Sequence, residues 1–451
     1  MFDFSAEGMR QRALLAGGII AYILFFERLY VSWLYPEFGY FGFDYNAPET
    51  GYLGLAWTLS LLPTLWMPRA IARPSQLAYW VLYLTVLIPS MFVPLYAGLD
   101  PPREIGVLML VLFAGFAIAG SSYFFPLASW RPAGISARTF WRGFFLLAAG
   151  LTCWVLAVFH GQLQLVSFAN IYDLRDAASE VLEGHAINYA VMGLSSAINP
   201  FLMAYGLYCK RGWMFLAGAL GQLLVYSVVG TKGSILSLGF VLGFYFLLRG
   251  RSNTFPLKFS WAAAGLLGGL YLSLFAAGGD LGVLHWLVLF VVFGRTFSMN
   301  GLLTAEYYDF FTRNPVTHYA GIKGVNWFLQ SPYANPIGVE VGSYYSGDAT
   351  LDASAHFWAT DGLGAWGLPG VLLISVFCAL VFWALDSAAK KHDARLVALM
   401  TCYAAYNIAN ISIFTSLLSG GLALLMACIY FLPARTGTGS GTGSGMRSAT
   451  A

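Results

Sequence analysis

Long apolar runs recur along the chain, and most approach the roughly 20 residues that a helix needs to cross the hydrocarbon core of a bilayer. They read as 13–33, 51–67, 76–97, 105–125, 140–160, 186–207, 213–229, 234–248, 258–278, 362–386, 395–411 and 414–432. In lipid every backbone N–H and C=O must be satisfied internally, so runs of this length form helices. The expected fold is an all-α polytopic integral membrane protein with about 12 transmembrane helices. Composition agrees: 58% of the 451 residues are hydrophobic and 10% are charged, against about 25% charged in a soluble chain. A net charge of +3 gives nucleic acid no electrostatic footing as a partner.

Lys and Arg collect in alternate breaks, at Arg10 and Arg12, Arg69 and Arg73, Arg131, Arg138 and Arg142, and Lys210 and Arg211. The same side carries Arg249, Arg251 and Lys258, then Lys390, Lys391 and Arg395, with Arg435 and Arg447 in the tail. The positive-inside rule puts this side, and both termini, in the cytoplasm. Arg28, Arg103, Arg175, Lys232, Arg295, Arg313 and Lys323 fall on the other side, where cytoplasmic retention is not their task.

Residues 282–297, GVLHWLVLFVVFGRTF, break the alternation. A crossing there would invert every later break, so the segment reads as re-entrant, which calls for a cavity beside Arg295. The alternative is one more crossing, completed through 301–311 or 320–330. The chain is expected to form a single transmembrane domain over 1–434, with outer elements 161–185 and 298–361. Residues 435–451 have Gly/Ser/Thr linker composition and are expected to be disordered. The five cysteines show no CxxC spacing, which suggests neither a metal site nor a disulfide framework.

Three cations stand out as candidate substrate-binding residues. Arg175 lies in YDLRD, where its planar donor fork suits a diphosphate and equally a salt bridge to Asp173 or Asp176. Lys232 abuts two apolar runs and either snorkels to the surface or faces a ligand. Arg295, in FVVFGRTFSMNG, has no local counter-ion, and a charge at membrane depth is costly unless it faces a cavity or a partner. A shared role would be an electropositive clamp on an anionic group such as a lipid diphosphate. In EYYDFF, Glu306 and Asp309 share one helix face, while Tyr307 and Tyr308 offer stacking surfaces or interfacial belt residues. His318, His356, Asp348, Asp352 and Asp361 follow, as chemistry or as loop supports. No HExxH and no Gly-rich nucleotide loop is present, so neither metal nor cofactor is expected, and the donor should arrive already activated.

IYDLRD at 171–176, VGTKGSILSLGFVLGF from Val229, GRTFSMNGLLTAEYYDFFTRNP at 294–315 and DGLGAWGLPGVLLISVFCALVFWALD at 361–386 resemble the Wzy-type oligosaccharide repeat unit polymerases of O-antigen and capsule synthesis. Lys232 stands where that family commonly has arginine. The resemblance implies a GT-C-like, metal-independent glycosyltransferase in a bacterial inner membrane. It would polymerise undecaprenyl-diphosphate-linked repeat units at the periplasmic face and release undecaprenyl diphosphate. Membrane lipid is an implied partner, and the resemblance allows a chain-length regulator. It implies Arg175, Lys232 and Arg295 at the diphosphate, Tyr308, His318 and His356 at the acceptor, and His318 or else Asp309 as the catalytic base. An O-antigen ligase using the same donor is the nearest alternative. A lipid-linked oligosaccharide flippase or other transporter is the alternative of a different class.

Overall fold

The computed structural model describes residues 5–98, 102–130, 135–161, 181–182, 185–230, 232–250, 254–278, 281–322 and 324–434, without the side chains of 102, 103 and 232. Among them every regular element is helical. The chain is an all-α polytopic membrane protein, with about nine helices among the described residues that are long and apolar enough to cross a membrane. These are α1 (Ala6–Phe41), α3 (Ser75–Ala97), α4 (Glu104–Phe124), α5 (Ala137–Val158), α6 (Ile187–Tyr208), α7 (Gly212–Val229), α9 (Phe255–Ala276), α10 (Val283–Arg313) and α12 (Trp358–Ala389). Shorter helices are α2 (Thr50–Leu61), α8 (Lys232–Leu248), α11 (Ile337–Ser346), α13 (Ala394–Ile408), α14 (Ile413–Leu417) and α15 (Leu422–Phe431).

The difference from the expected twelve has two sources. Runs 51–67, 234–248, 395–411 and 414–432 are helical but short, the last interrupted between Leu417 and Leu422, while 283–313 adds a long one. The expected outer element 298–361 also needs correction. Met299–Arg313 is a helix, buried from Met299 through Tyr308, so irregular chain begins only at Asn314.

Proline shapes several helices. Pro36, Pro89 and Pro200 each follow by two positions a π-helical turn, at Tyr30–Leu34, Tyr83–Leu87 and Leu194–Ile198. Proline donates no hydrogen bond and crowds the carbonyl four residues earlier, and a widened turn accommodates both effects. The longest π stretch, Phe290–Ser298 in α10, has no proline after it. Gly294 and Arg295 sit inside it.

α3 is the axis of the bundle, its most apolar window wholly buried. It runs parallel to α1, since the Tyr22 hydroxyl donates to the Leu84 carbonyl (2.7 Å) and the Tyr30 and Tyr96 rings meet at 4.9 Å. α10 follows these two helices in opposite senses. Phe290 meets Phe38, Phe293 meets Phe26 and Phe297 meets Tyr22, so its first half descends α1. Asn300 then bonds to Thr85 and Thr304 to Ser90, so its second half climbs α3.

α12 contains a hairpin. Trp366 and Gly367 leave helical geometry, Gly367 at φ 64° and ψ −148°, and Gly370 packs on the Gly362 carbonyl. Residues 358–365 therefore lie back against 370–375, and the Trp358 indole donates to Ser375 Oγ (2.8 Å). The stretch from Ala353 to Leu363 runs at the depth of these helices rather than in a surface loop. Its polar groups are supplied with partners, as backbone inside a membrane protein requires: Tyr307 donates to the Ala353 carbonyl and Thr360 to the Ala355 carbonyl. Gly367 occupies backbone space that is essentially closed to residues with a Cβ. Gly367→Ala should lower the thermal midpoint of the purified protein, through a cost of about 1–3 kcal/mol, while a change at an exposed residue such as Arg138→Gln should not.

Candidate functional site: Arg295 and the cavity beside it

The Lys/Arg-rich end of the bundle is tied by structural bonds. Arg73 donates to the Ser122 and Phe125 carbonyls, and Lys390 Nζ to Ser129 Oγ. Asp386, the acid that ends the 361–386 motif, is 1% exposed and caps the start of α3, accepting from Ser75 N (3.0 Å) and Ser75 Oγ (2.8 Å). That motif residue holds the fold together.

At the other end and midway down lie the candidate site residues. Arg295 is exposed, and among the described residues no hydrogen bond or ion pair engages it. Its charge is felt at the Tyr406 hydroxyl of α13. Tyr406 packs on Tyr403 (6.0 Å, 17°), whose hydroxyl lies directly on Gly233 at the start of α8. The backbone beside Lys232 and the side chain of Arg295 thus flank one pair of tyrosines. The Lys232 side chain and the whole of Arg175 lie outside the described residues.

A half-open cavity of ≈ 420 Å³ adjoins Arg295. Leu236, Gly239, Phe240 and Gly243 of α8 form one wall, Phe259, Ala262 and Leu266 of α9 another, and Val292, Thr296 and Tyr406 lie beneath. Phe244 closes its base against Phe255 and Phe259. Arg295 is not among its lining residues, which are apolar but for Thr85, Thr296 and the Tyr406 hydroxyl. Thr296 donates its hydroxyl to the Val291 carbonyl (2.9 Å), which occupies one acceptor of the widened π ladder.

The other candidates separate into distinct settings. His356 is 0% exposed. The Ala359 N–H points at its Nδ1 (3.4 Å), which assigns the proton to Nε2, and Nε2–H donates to Thr304 Oγ1 (2.8 Å). Thr304 in turn donates to the Asn300 carbonyl and accepts from Ser90. Both ring nitrogens are occupied inside the core, so His356 is placed to lock α10 to α3 and the 353–363 dip, not to meet an acceptor. Asp309 is held from two sides, by Arg313 (2.7 Å) and by the Tyr345 hydroxyl of α11 (2.6 Å). His318 is exposed at the loop end, its backbone donating to the Ala365 carbonyl and its ring meeting Trp366 edge-on at 6.0 Å. Tyr308 is 9% exposed, with its ring in the core. Asp361 is buried and accepts from Ile413 N (2.7 Å), and Asp348 and Asp352 bond to Thr350 and Ser354 within their own turns.

No described contact brings His318, Asp309 or His356 to Arg295. Glu306 is the acid the arrangement singles out: it is 9% exposed and packs on Gly42, and its carboxylate has no hydrogen-bond or ionic partner among the described residues, although its carbonyl accepts from the Tyr345 hydroxyl. The sequence signal for the buried network was Asn300 and Thr304, four apart and so on one helix face. Among the described residues no three His, Cys, Asp or Glu side chains gather where an ion could be held. No family model, curated protein or solved structure matches the chain.

Proposed function

We propose that this protein is a membrane glycosyltransferase that polymerises oligosaccharide repeat units carried on undecaprenyl diphosphate, with the carrier released at each transfer. One observation carries the reading: a guanidinium that no described residue pairs, on α10 between residues that line an apolar cavity. A ligand suited to that pairing has an anionic head and a hydrocarbon tail. Arg295 meets the diphosphate, and α8 and α9 take part of the isoprenoid. Its place in a proline-free π stretch supports this, because such turns recur where a helix is shaped for function.

In the transfer, an acceptor hydroxyl oxygen bonds to the anomeric carbon as the bond from that carbon to the diphosphate oxygen breaks. The hydroxyl proton passes to a base, and the guanidinium stabilises charge gathering on the leaving oxygen. Of the two expected bases, His318 has an exposed ring, whereas Asp309 would first have to leave Arg313 and Tyr345. Within this proposal α10 re-enters rather than crosses, as its contacts down α1 and up α3 suggest. The bundle is then GT-C-like, the Lys/Arg-rich end and both termini are cytoplasmic, and the site opens to the periplasm of a bacterial inner membrane.

The test is proteoliposomes supplied with a defined undecaprenyl-diphosphate-linked repeat unit. A glycan ladder with released carrier is the expected result. Transfer only to a lipid A-core acceptor would reassign the protein as a ligase, and movement of intact lipid-linked glycan across the bilayer would make it a transporter.

A further inference from the structure

At the Lys/Arg-rich end a second cavity, of ≈ 190 Å³, lies between the start of α1, the chain after α2 and the start of α9. Its polar lining is Glu7, Arg10, Gln11, Arg69 and Thr254, and its apolar lining includes Leu14, Leu15 and Pro256. The cations dominate. Glu7 is already engaged by Gln11 Nε2 (3.0 Å) and, loosely, by Arg10 (3.7 Å). Arg12 is turned away, donating to the Thr64 carbonyl.

The surface leading from this pocket along the membrane is greasy and marked by an interfacial aromatic. Leu14 and Trp261 are 41% and 46% exposed, and the Trp261 indole donates to the Leu14 carbonyl (3.1 Å). Gly18 packs on Ser260 and Trp261, so α1 and α9 close behind this track without leaving a gap. Tryptophan at such a position sits at headgroup level, and paired arginines match the oxygens of a phosphate diester.

We propose that this pocket binds the phosphate of an anionic phospholipid, with Arg10 and Arg69 on the headgroup and an acyl chain along Leu14 and Trp261. The site is separate from the Arg295 cavity and does not depend on the transfer reaction. A basic pocket between membrane helices is suited to an anionic headgroup and indifferent to a zwitterionic one.

The test is native mass spectrometry of the full chain in micelles doped with equal dioleoyl-phosphatidylglycerol and dioleoyl-phosphatidylcholine. Wild type should retain roughly fivefold more phosphatidylglycerol than phosphatidylcholine. Arg10→Gln should reduce that preference and Arg10→Gln/Arg69→Gln should abolish it, while Arg142→Gln, an exposed arginine elsewhere, should keep it. Arg10 is exposed and holds only Glu7 among its described contacts, so the single variant reads binding even if the double variant folds poorly. Equal retention of the two lipids, or an undiminished preference in Arg10→Gln, would overturn the site. Displacement of the lipid by millimolar inorganic phosphate would assign the pocket to free phosphate and overturn the lipid.

Discussion

Arg295→Ala is expected to lower consumption of an undecaprenyl-diphosphate-linked donor by about 100-fold or more, the usual loss when a donor aimed at developing charge is removed. Folded yield should not change, because the side chain is exposed and no described residue depends on it. Arg295→Lys keeps the charge but loses the planar fork, so it should stay impaired by roughly tenfold if the diphosphate is held by two parallel bonds. Rates in the proteoliposome assay, set beside size-exclusion profiles of each variant, make the comparison. Wild-type ladders from both variants would remove Arg295 from the chemistry and with it the main support for a diphosphate ligand.

The second large effect concerns architecture. A Cβ at Gly301 would lie 2.5 Å from the Pro89 carbonyl oxygen and 2.7 Å from Val93 Cβ. Backbone faces it on one side and a β-branched side chain on the other, so α10 and α3 must separate to admit anything larger. Gly301→Leu should cost at least about 3 kcal/mol, the upper end for overpacking, and should strip the Asn300–Thr85 and Thr304–Ser90 bonds as the helices part. Fluorescence-detected size exclusion in detergent should show little or no monodisperse protein. Recovery of a wild-type profile would mean that the α3–α10 contact is looser than its geometry indicates.

Much of this arrangement was legible in the chain, because lipid imposes a simple rule on length and polarity. Every apolar run proposed from the sequence contains a helix, and the conflict between 282–297 and the charge alternation pointed to the segment that holds the longest π stretch. Irregular chain inside the bundle was harder to see. Residues 353–363, SAHFWATDG among them, look like an ordinary aromatic loop, since their burial depends on a reversal at Gly367 made by backbone angles that no periodicity announces. The same limit explains His356. A histidine on a surface loop and one bonded to a helix threonine have the same neighbours in sequence, and only the fold puts Thr304 against Nε2. Arg295 was readable for the opposite reason: the absence of nearby acids is a local property, and the fold leaves it without one among the described residues.

Trp327 and Phe328 stand 82% and 85% exposed between two tied points, the His318 backbone on the Ala365 carbonyl before them and the Tyr333 hydroxyl on the Pro315 carbonyl after. A strap buckled to the wall at both ends cannot swing aside as a door. It can only bow at its middle, so the two rings stay on this face of the bundle whatever approaches it.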